Sequence, residues 1–417
     1  MSGSIKLKHA SGNGVIIAAP SSNPSSDKTI NLPSDEAGVF ATKNSNDSLQ
    51  NIAGINGGAI GTKNLIINGG LNVYQRASAR AATTQGAGYA TADRWKNQWN
   101  HLGVTATETV TDLASSDSPY TEGHRKYLRF ALASAGTAAV NSYIELSQLV
   151  EAQNLATSGW DYTSSSSKIT LQFWFRCSTN QTFYCSLQSY DGTVQNYVFP
   201  FTASGNNTWT KITHTISGNS NITFNNDNGH GLNIRIIPFY GTSYSGTNVT
   251  NNSWVAFNTD YVPDMATTWL TAGASTFDYT AVQLEVGPTA STFVHETYAE
   301  TLRKCQRYYF QHINGVVNQS VCENAGFYQS SQLFCSIQCP VSMRTEPTML
   351  VSSGTNHFRY YHNNGSAYTD SLNSLSYSNA GKTILMLYRG SLSGTAGMTA
   401  ILRAGTTDTS LAMSAEL

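Results

Sequence analysis

Apolar side chains recur at every second position through most of this chain, the period of strands with one face turned to a core. The clearest run places Ile169, Leu171, Phe173, Phe175 and Cys177 on one face and Trp174 with Arg176 on the other. Residues 127–130 alternate in the same way, and the segments 209–216, 232–239, 254–257 and 277–286 read as further strands. Asp191 and Gly192, between residues 186–190 and 193–199, predict a hairpin because both turn residues tolerate positive φ. Strands joined by loops, with no segment of helix length, predict a two-sheet sandwich over residues 62–294, and specifically a jelly roll.

Both flanks differ from this central region. Residues 1–61 hold short alternations, Ile5 with Leu7, Val15 with Ile17, Ile30 with Leu32, then a Gly-, Asn- and Ser-rich linker from about residue 44. So few apolar side chains cannot enclose a core in one chain, which points to association with further copies or a larger body. After Gly287 and Pro288 the period lengthens. Tyr298, Leu302, Cys305 and Tyr309 fall on one helical face, predicting a connecting helix within 295–310. Strand patterns return over 311–417, at 332–339, 348–352, 383–388, 398–404 and 410–415, and predict a smaller, distal β-sandwich. The polar stretch 353–380 reads as a long loop carrying His357, Arg359, Tyr360, Tyr361, Tyr368 and Tyr377. The fold class is therefore all-β: a short N-terminal β segment, a central jelly roll, a short helix and a smaller C-terminal sandwich.

Composition agrees with the pattern. Charged residues are only 12% of the 417, while 22 Tyr, 16 Phe and 7 Trp favour pleated, half-buried surfaces. A net charge of -1 supplies no field that would gather nucleic acid or an anionic membrane. The first residues lack an apolar signal core, and no run approaches the ~20 apolar residues needed to span a bilayer, so cytoplasmic synthesis without membrane insertion is expected. Of the six cysteines, Cys335 and Cys339 share the period-2 face of Leu333 and Ile337, and Cys177 and Cys185 are in phase with phenylalanines. Core thiols are expected, with a disulfide or metal site as the alternative.

Catalytic signatures are sparse. There is no G-x-S-x-G elbow. The Gly381-Lys382-Thr383 triplet lacks the earlier glycine of a phosphate loop, where Ser376 stands instead. The carboxylate pairs Glu145 with Glu151 and Asp260 with Asp264 are scattered, so no enzyme, cofactor or metal is expected. Aromatic rings among Asn, Ser and Arg carry the positive case, because sugar C–H faces stack on rings while hydroxyls need polar partners. Candidates are Trp95, Trp174, Trp254 and Tyr244 in the middle region and the aromatic residues of 353–380. For each of the former, packing into a sheet is the competing reading.

Several segments taken together carry a family resemblance. Residues 64–76 read NLIINGGLNVYQR, 92–95 read ADRW, 281–288 read AVQLEVGP, followed by Thr292 and Phe293, and 305–309 read CQRYY. In order and spacing they resemble tail fibre proteins of tailed bacteriophages. Residues 4–20 and 38–41 are similar to the N-terminal segments of marine cyanophage fibres, and PVSMRTEP at 340–347 resembles a C-terminal unit found after the same helix. The resemblance implies a homotrimeric virion fibre. Its N-terminus, with Ile5, Leu7, Val15, Ile17, Ile30 and Leu32 as the trimer and attachment face, would bind a tail or adaptor (nozzle) protein, and its distal domain would meet host-surface polysaccharide such as lipopolysaccharide. It also implies a jelly roll like those of carbohydrate-binding modules, except that Thr280 and Ala281 stand where such modules often place acidic calcium ligands, with Asp278 shifted nearby. A tailspike-like depolymerase and a purely structural module are the competing expectations.

Overall fold

The computed structural model describes residues 64–363, 367–390 and 392–417, together with four short strands nearer the N-terminus. Those four are β1 (Ser4–Lys8), β2 (Gly14–Ala18), β3 (Thr42–Lys43) and β4 (Leu49–Gln50). The chain divides into two compact units, 1–53 and 54–417. In the first, β1 and β2 pair antiparallel, with Ile5 opposite Ile17 and Leu7 opposite Val15. Ile30 and Leu32 lie outside the described residues.

The second unit begins with strands β5 (Ala79–Thr83), β6 (Lys96–Asn100), β7 (Ala106–Asp112), β8 (Lys126–Leu132), β9 (Tyr143–Glu151), β10 (Lys168–Cys177), β11 (Thr182–Ser189), β12 (Gln195–Thr202), β13 (Thr210–Ser217), β14 (His230–Tyr240), β15 (Trp254–Ala256) and β16 (Thr276–Val286). Between them lie only three short helical turns, α1 (Ser118–Thr121), α2 (Ala152–Ala156) and α3 (Thr268–Thr271). One sheet has the order β13-β10-β16-β8-β7-β5, the other β15-β12-β11-β14-β9-β6. Taking the eight strands β8 to β14 and β16 in chain order, the sheets read first-eighth-third-sixth and second-seventh-fourth-fifth. That interleaving is the double Greek key of a jelly roll, so the strand order alone gives the expected fold.

The inward side chains follow the period-2 pattern. Ile169, Leu171, Phe173, Phe175 and Cys177 are all fully buried, against Phe183, Cys185 and Leu187 from the facing sheet. Each such phenylalanine contributes roughly 1.5–3 kcal/mol on burial. The Asp191-Gly192 turn joins β11 and β12, with Gly192 at φ +64°.

Beyond the jelly roll, α4 (Tyr298–Gln306) precedes β17 (Tyr309–Asn314), β18 (Ser320–Gln329), β19 (Gln332–Gln338), β20 (Thr348–Val351), β21 (Phe358–Asn363), β22 (Ala367–Leu372), β23 (Ser376–Ala380), β24 (Ile384–Arg389), β25 (Thr399–Ala404) and β26 (Ser410–Ser414). A three-stranded sheet, β17-β26-β20, and a seven-stranded sheet, β22-β21-β25-β18-β19-β24-β23, enclose a second core. Two sequence expectations change here. The stretch 353–380 is not a loop, because Phe358, Tyr360 and His362 alternate inward along β21 and hairpin with β22. The helix is shorter than its apolar phase implied: Tyr298 is 60% exposed and Tyr309 starts a strand, while Thr301 and Cys305 make the buried face. A reciprocal capping box between Thr297 and Glu300 starts α4. All six cysteines are buried and free.

Five of the segments that carry the family resemblance, at 64–76, 92–95, 281–288, 305–309 and 340–347, meet around the joint between the jelly roll and the distal sandwich. Asn64 Oδ1 accepts from the Leu284 amide at 3.0 Å, and its Nδ2 donates to Val282 O at 3.2 Å. Asn68, at φ +59°, accepts from Trp95 Nε1 at 3.1 Å through its carbonyl. Gln75 Nε2 bridges Asp93 Oδ2 and Tyr309 O, at 2.6 and 2.8 Å. Arg94, fully buried, donates to Glu416 and to Leu149 O and lies 3.5 Å from the Tyr308 ring centroid. Arg76 lies equally close over Tyr309. Arg307 grips Glu151 with two 2.8 Å bonds, and Arg344 donates to the carbonyls of Ala415, Glu416 and Asn228. These motifs are therefore structural: they hold the two β regions together.

Candidate functional site

The outward face of the seven-stranded sheet carries a row of residues in register across five strands: Thr399, Gly326, Phe334, Tyr388 and Ser376. Phe334 and Tyr388 stack with ring centroids 5.9 Å apart at 23°. Tyr328, 71% exposed, stands edge-on to Phe334 at 5.7 Å. Gly326 leaves an open step beside these rings, since a Cβ there would meet only Met398 O, at 3.8 Å. The period-2 rule forces this arrangement: Leu333, Cys335 and Leu387 turn inward, so Phe334 and Tyr388 turn out. Three rings flanked by hydroxyls on a rigid sheet give apolar area for stacking with hydrogen-bonding partners at both ends. On the strands beyond, the same face carries Arg359 and Tyr361, with the Arg403 guanidinium 5.7 Å from the Tyr361 ring and 4.0 Å from Glu323.

The sequence candidates divide sharply by burial. Trp95 and Tyr360 are fully buried in the two cores and have no face for a ligand, which corrects the expectation for both. Trp254 donates from Nε1 to Ser217 O at 2.8 Å and packs 5.3 Å from the Tyr197 ring. Tyr244 packs between Tyr143 and Tyr240, each 5.6 Å away. Together with Tyr261, Val262 and Met265 it covers the outer face of the sheet that contains β14. Beneath that cover Arg235 donates to Gln188 and Tyr190, at 3.0 and 2.8 Å, and pairs with Glu145 at 3.3 Å.

Trp174 is partly exposed on the opposite sheet; its Nε1 donates to Glu122 at 3.0 Å and the Lys211 ammonium sits 5.8 Å from its ring. His357 shares a hydrogen bond with Ser352 at 2.9 Å at the entry to β21. Tyr377 is 41% exposed on the edge strand β23. Tyr368 lies on β22, opposite His362. The structure thus brings together Tyr328, Phe334 and Tyr388, none of which stood out in the sequence, beside Arg359 and Tyr361, which did. The hairpin turn between β18 and β19 was the available signal for placing Tyr328 near Phe334.

The carboxylates considered for catalysis are engaged. Glu145 accepts from Tyr240 at 2.5 Å as well as pairing with Arg235, while Glu151 holds Arg307 and Tyr308 at the far end of the same strand. Asp260 accepts from Asn248 twice at 2.9 Å and Asp264 from Ser245 at 3.1 Å. Asp278, the acid nearest Thr280 and Ala281, has both oxygens on Arg129 and Arg176. Among the described residues no cluster of three or more His, Cys, Asp or Glu has metal-binding geometry, and no helix is long and apolar enough to cross a membrane.

No protein-family model matches the chain, and no curated protein matches it. Among solved structures, it is similar to the enzymatically active domain of bacteriophage CBA120 tailspike protein 4, at TM-score 0.26 and 9% identity over 46% of this chain and 19% of that one. The chain thus spans about a fifth of that tailspike domain's length. A family 11 carbohydrate-binding module from Clostridium thermocellum matches at TM-score 0.26 and 9% identity, over 51% of this chain and 99% of that one. A tandem CBM22 domain from Paenibacillus barcinonensis Xyn10C matches at TM-score 0.25 and 9% identity, over 81% of this chain and 96% of that one.

Proposed function

We propose that the chain is a tail fibre protein of a tailed bacteriophage, without enzymatic activity, that acts as a homotrimer and attaches the virion to host-surface glycan such as lipopolysaccharide. The observation that carries this reading is the exposed row of Tyr328, Phe334 and Tyr388 beside the open step at Gly326. Rings on a sheet are held without loop entropy, so stacking on a sugar costs little ordering. Ile5, Leu7, Val15 and Ile17, apolar residues too few to enclose a core in one chain, support assembly through the N-terminal unit. In this reading the virion end is N-terminal, bound to a tail or adaptor protein, and the distal sandwich faces the cell.

The test uses the full chain on an array of bacterial surface polysaccharides. Tyr388→Ala and Phe334→Ala, each at a partly exposed position, are expected to lower binding roughly tenfold, the worth of one lost aromatic contact, with an unchanged melting profile. Unchanged binding in both variants would remove the platform from the proposal. New reducing ends after incubation with the bound polysaccharide would replace adhesion by depolymerisation.

A further inference from the structure

The distal sandwich sets two like charges face to face. Arg359 on β21 stands directly opposite Arg403 on β25, and the row continues to Ser371 on β22 and to Ser320 on β18. Phe358, Tyr360, Leu402 and Ala404 are buried, so the period of two turns both arginines to the outward face of the sheet. Cross-strand partners have Cβ atoms about 5 Å apart, and like charges so placed repel. The chain carries this pair although only 12% of its residues are charged and its net charge is -1.

Little on the protein answers that charge. Among the described residues no carboxylate pairs with Arg359, and Arg403 reaches only Glu323, at 4.0 Å, the two side chains being 37% and 59% exposed. A contact so long and so open to water contributes little. The Arg403 guanidinium also lies 5.7 Å from the ring of Tyr361, the next outward residue of β21. Two planar forks in one row match an oxyanion, because each guanidinium can give two parallel N–H bonds to a phosphate or carboxylate. An oxyanion seated between them replaces repulsion with attraction, which a neutral group does not.

We propose that Arg359 and Arg403 form an oxyanion site, which takes a phosphate or carboxylate group carried by the surface glycan. The site rests on the glycan reading for the source of its anion and on strand register for its place. Arg403 and Thr399, the latter in the aromatic row, lie four residues apart on β25, about 14 Å, so an acidic oligosaccharide, not a single sugar, spans both. Guanidinium Nε–H signals of the full chain, labelled with ¹⁵N-arginine, are followed by NMR while glucose 1-phosphate, glucuronate or glucose is added, with ionic strength held constant by NaCl. Glucose 1-phosphate or glucuronate is expected to shift the Arg359 and Arg403 signals saturably, and the anion that does so identifies the group; glucose should shift neither. Arg359→Gln, at a partly exposed position, should weaken the binding read at Arg403 roughly tenfold, the loss of one charge-assisted fork. Glu323→Gln should tighten it, because the opposing carboxylate is gone. Tyr388→Ala should leave the anion response intact, which separates failure of this site from failure of the aromatic platform. No saturable shift with either anion, an equal shift with glucose, or undiminished binding in Arg359→Gln overturns the proposal.

Discussion

Single side chains at the joint set much of its stability. Arg94 is fully buried and its charge is answered by Glu416, itself 6% exposed on its side chain. Glu416→Ala strands that guanidinium, and removing one partner of a buried pair costs about 3–5 kcal/mol; denaturant unfolding of the variant should show a loss of that size. Two buried titratable groups act in opposite directions with pH. Burial pushes Asp93 up to about 6, so its contribution is fully present below its unfolded value and is lost as pH rises through 6. His124, held down to about 4, contributes stability that is present above its unfolded value near 6.5 and lost as pH falls toward 4. Subtracting the stability of His124→Gln from that of the natural chain isolates the second term. The difference should rise from pH 4 to 6.5, by at most about 1.4 kcal/mol per pH unit, and then level off. A flat difference would mean that His124 is not buried neutral.

At the scale of elements, legibility depended on how strictly apolar and polar positions alternate. The strand at 168–177 was readable because five apolar residues share one face without interruption. The stretch 353–380 was not, because its inward residues include Tyr360 and His362, whose polar ends mimic loop composition, and Asn, Ser and Arg stand among its outward residues. Register was invisible as well. Tyr388 lies far in sequence from Gly326 and Phe334 and joins them only through the pairing of β19 with β24, which one sequence cannot specify. The Asn-Gly-Gly turn was legible as a motif, but its reason was not. A Cβ on Gly69 would overlap the Val282 carbonyl, where β16 bulges with Ala281 at φ +56°. Gly69→Ala is therefore expected to cost about 3 kcal/mol or more, since backbone and not a mobile side chain must yield; a thermal melt checks it.

For the whole molecule, two cores and one charged joint make the jelly roll and the distal sandwich a single compact unit, separate from residues 1–53. In the proposed fibre, the distal row supplies weak single contacts and the N-terminal unit multiplies them. A chain lacking residues 1–53 should then bind a polysaccharide-coated surface about 10²–10⁴-fold less tightly, while its affinity for one dissolved oligosaccharide stays the same. Equal surface binding by the two chains would sink the trimer.

The joint also fixes when the jelly roll can settle. Arg76 and Arg94 meet Glu416, and Tyr89 meets the Leu417 carbonyl, across 340, 322 and 328 residues of sequence. Contacts of such separation close late, because nearly the whole intervening chain must be ordered before they yield anything. At ribosomal speeds of ~5–20 residues per second, the jelly roll waits on the order of tens of seconds for its last partner. During that interval Arg94 has no counterion and the surface that receives 415–417 is uncovered, so the newborn chain stays open to misassembly until Glu416 has been made.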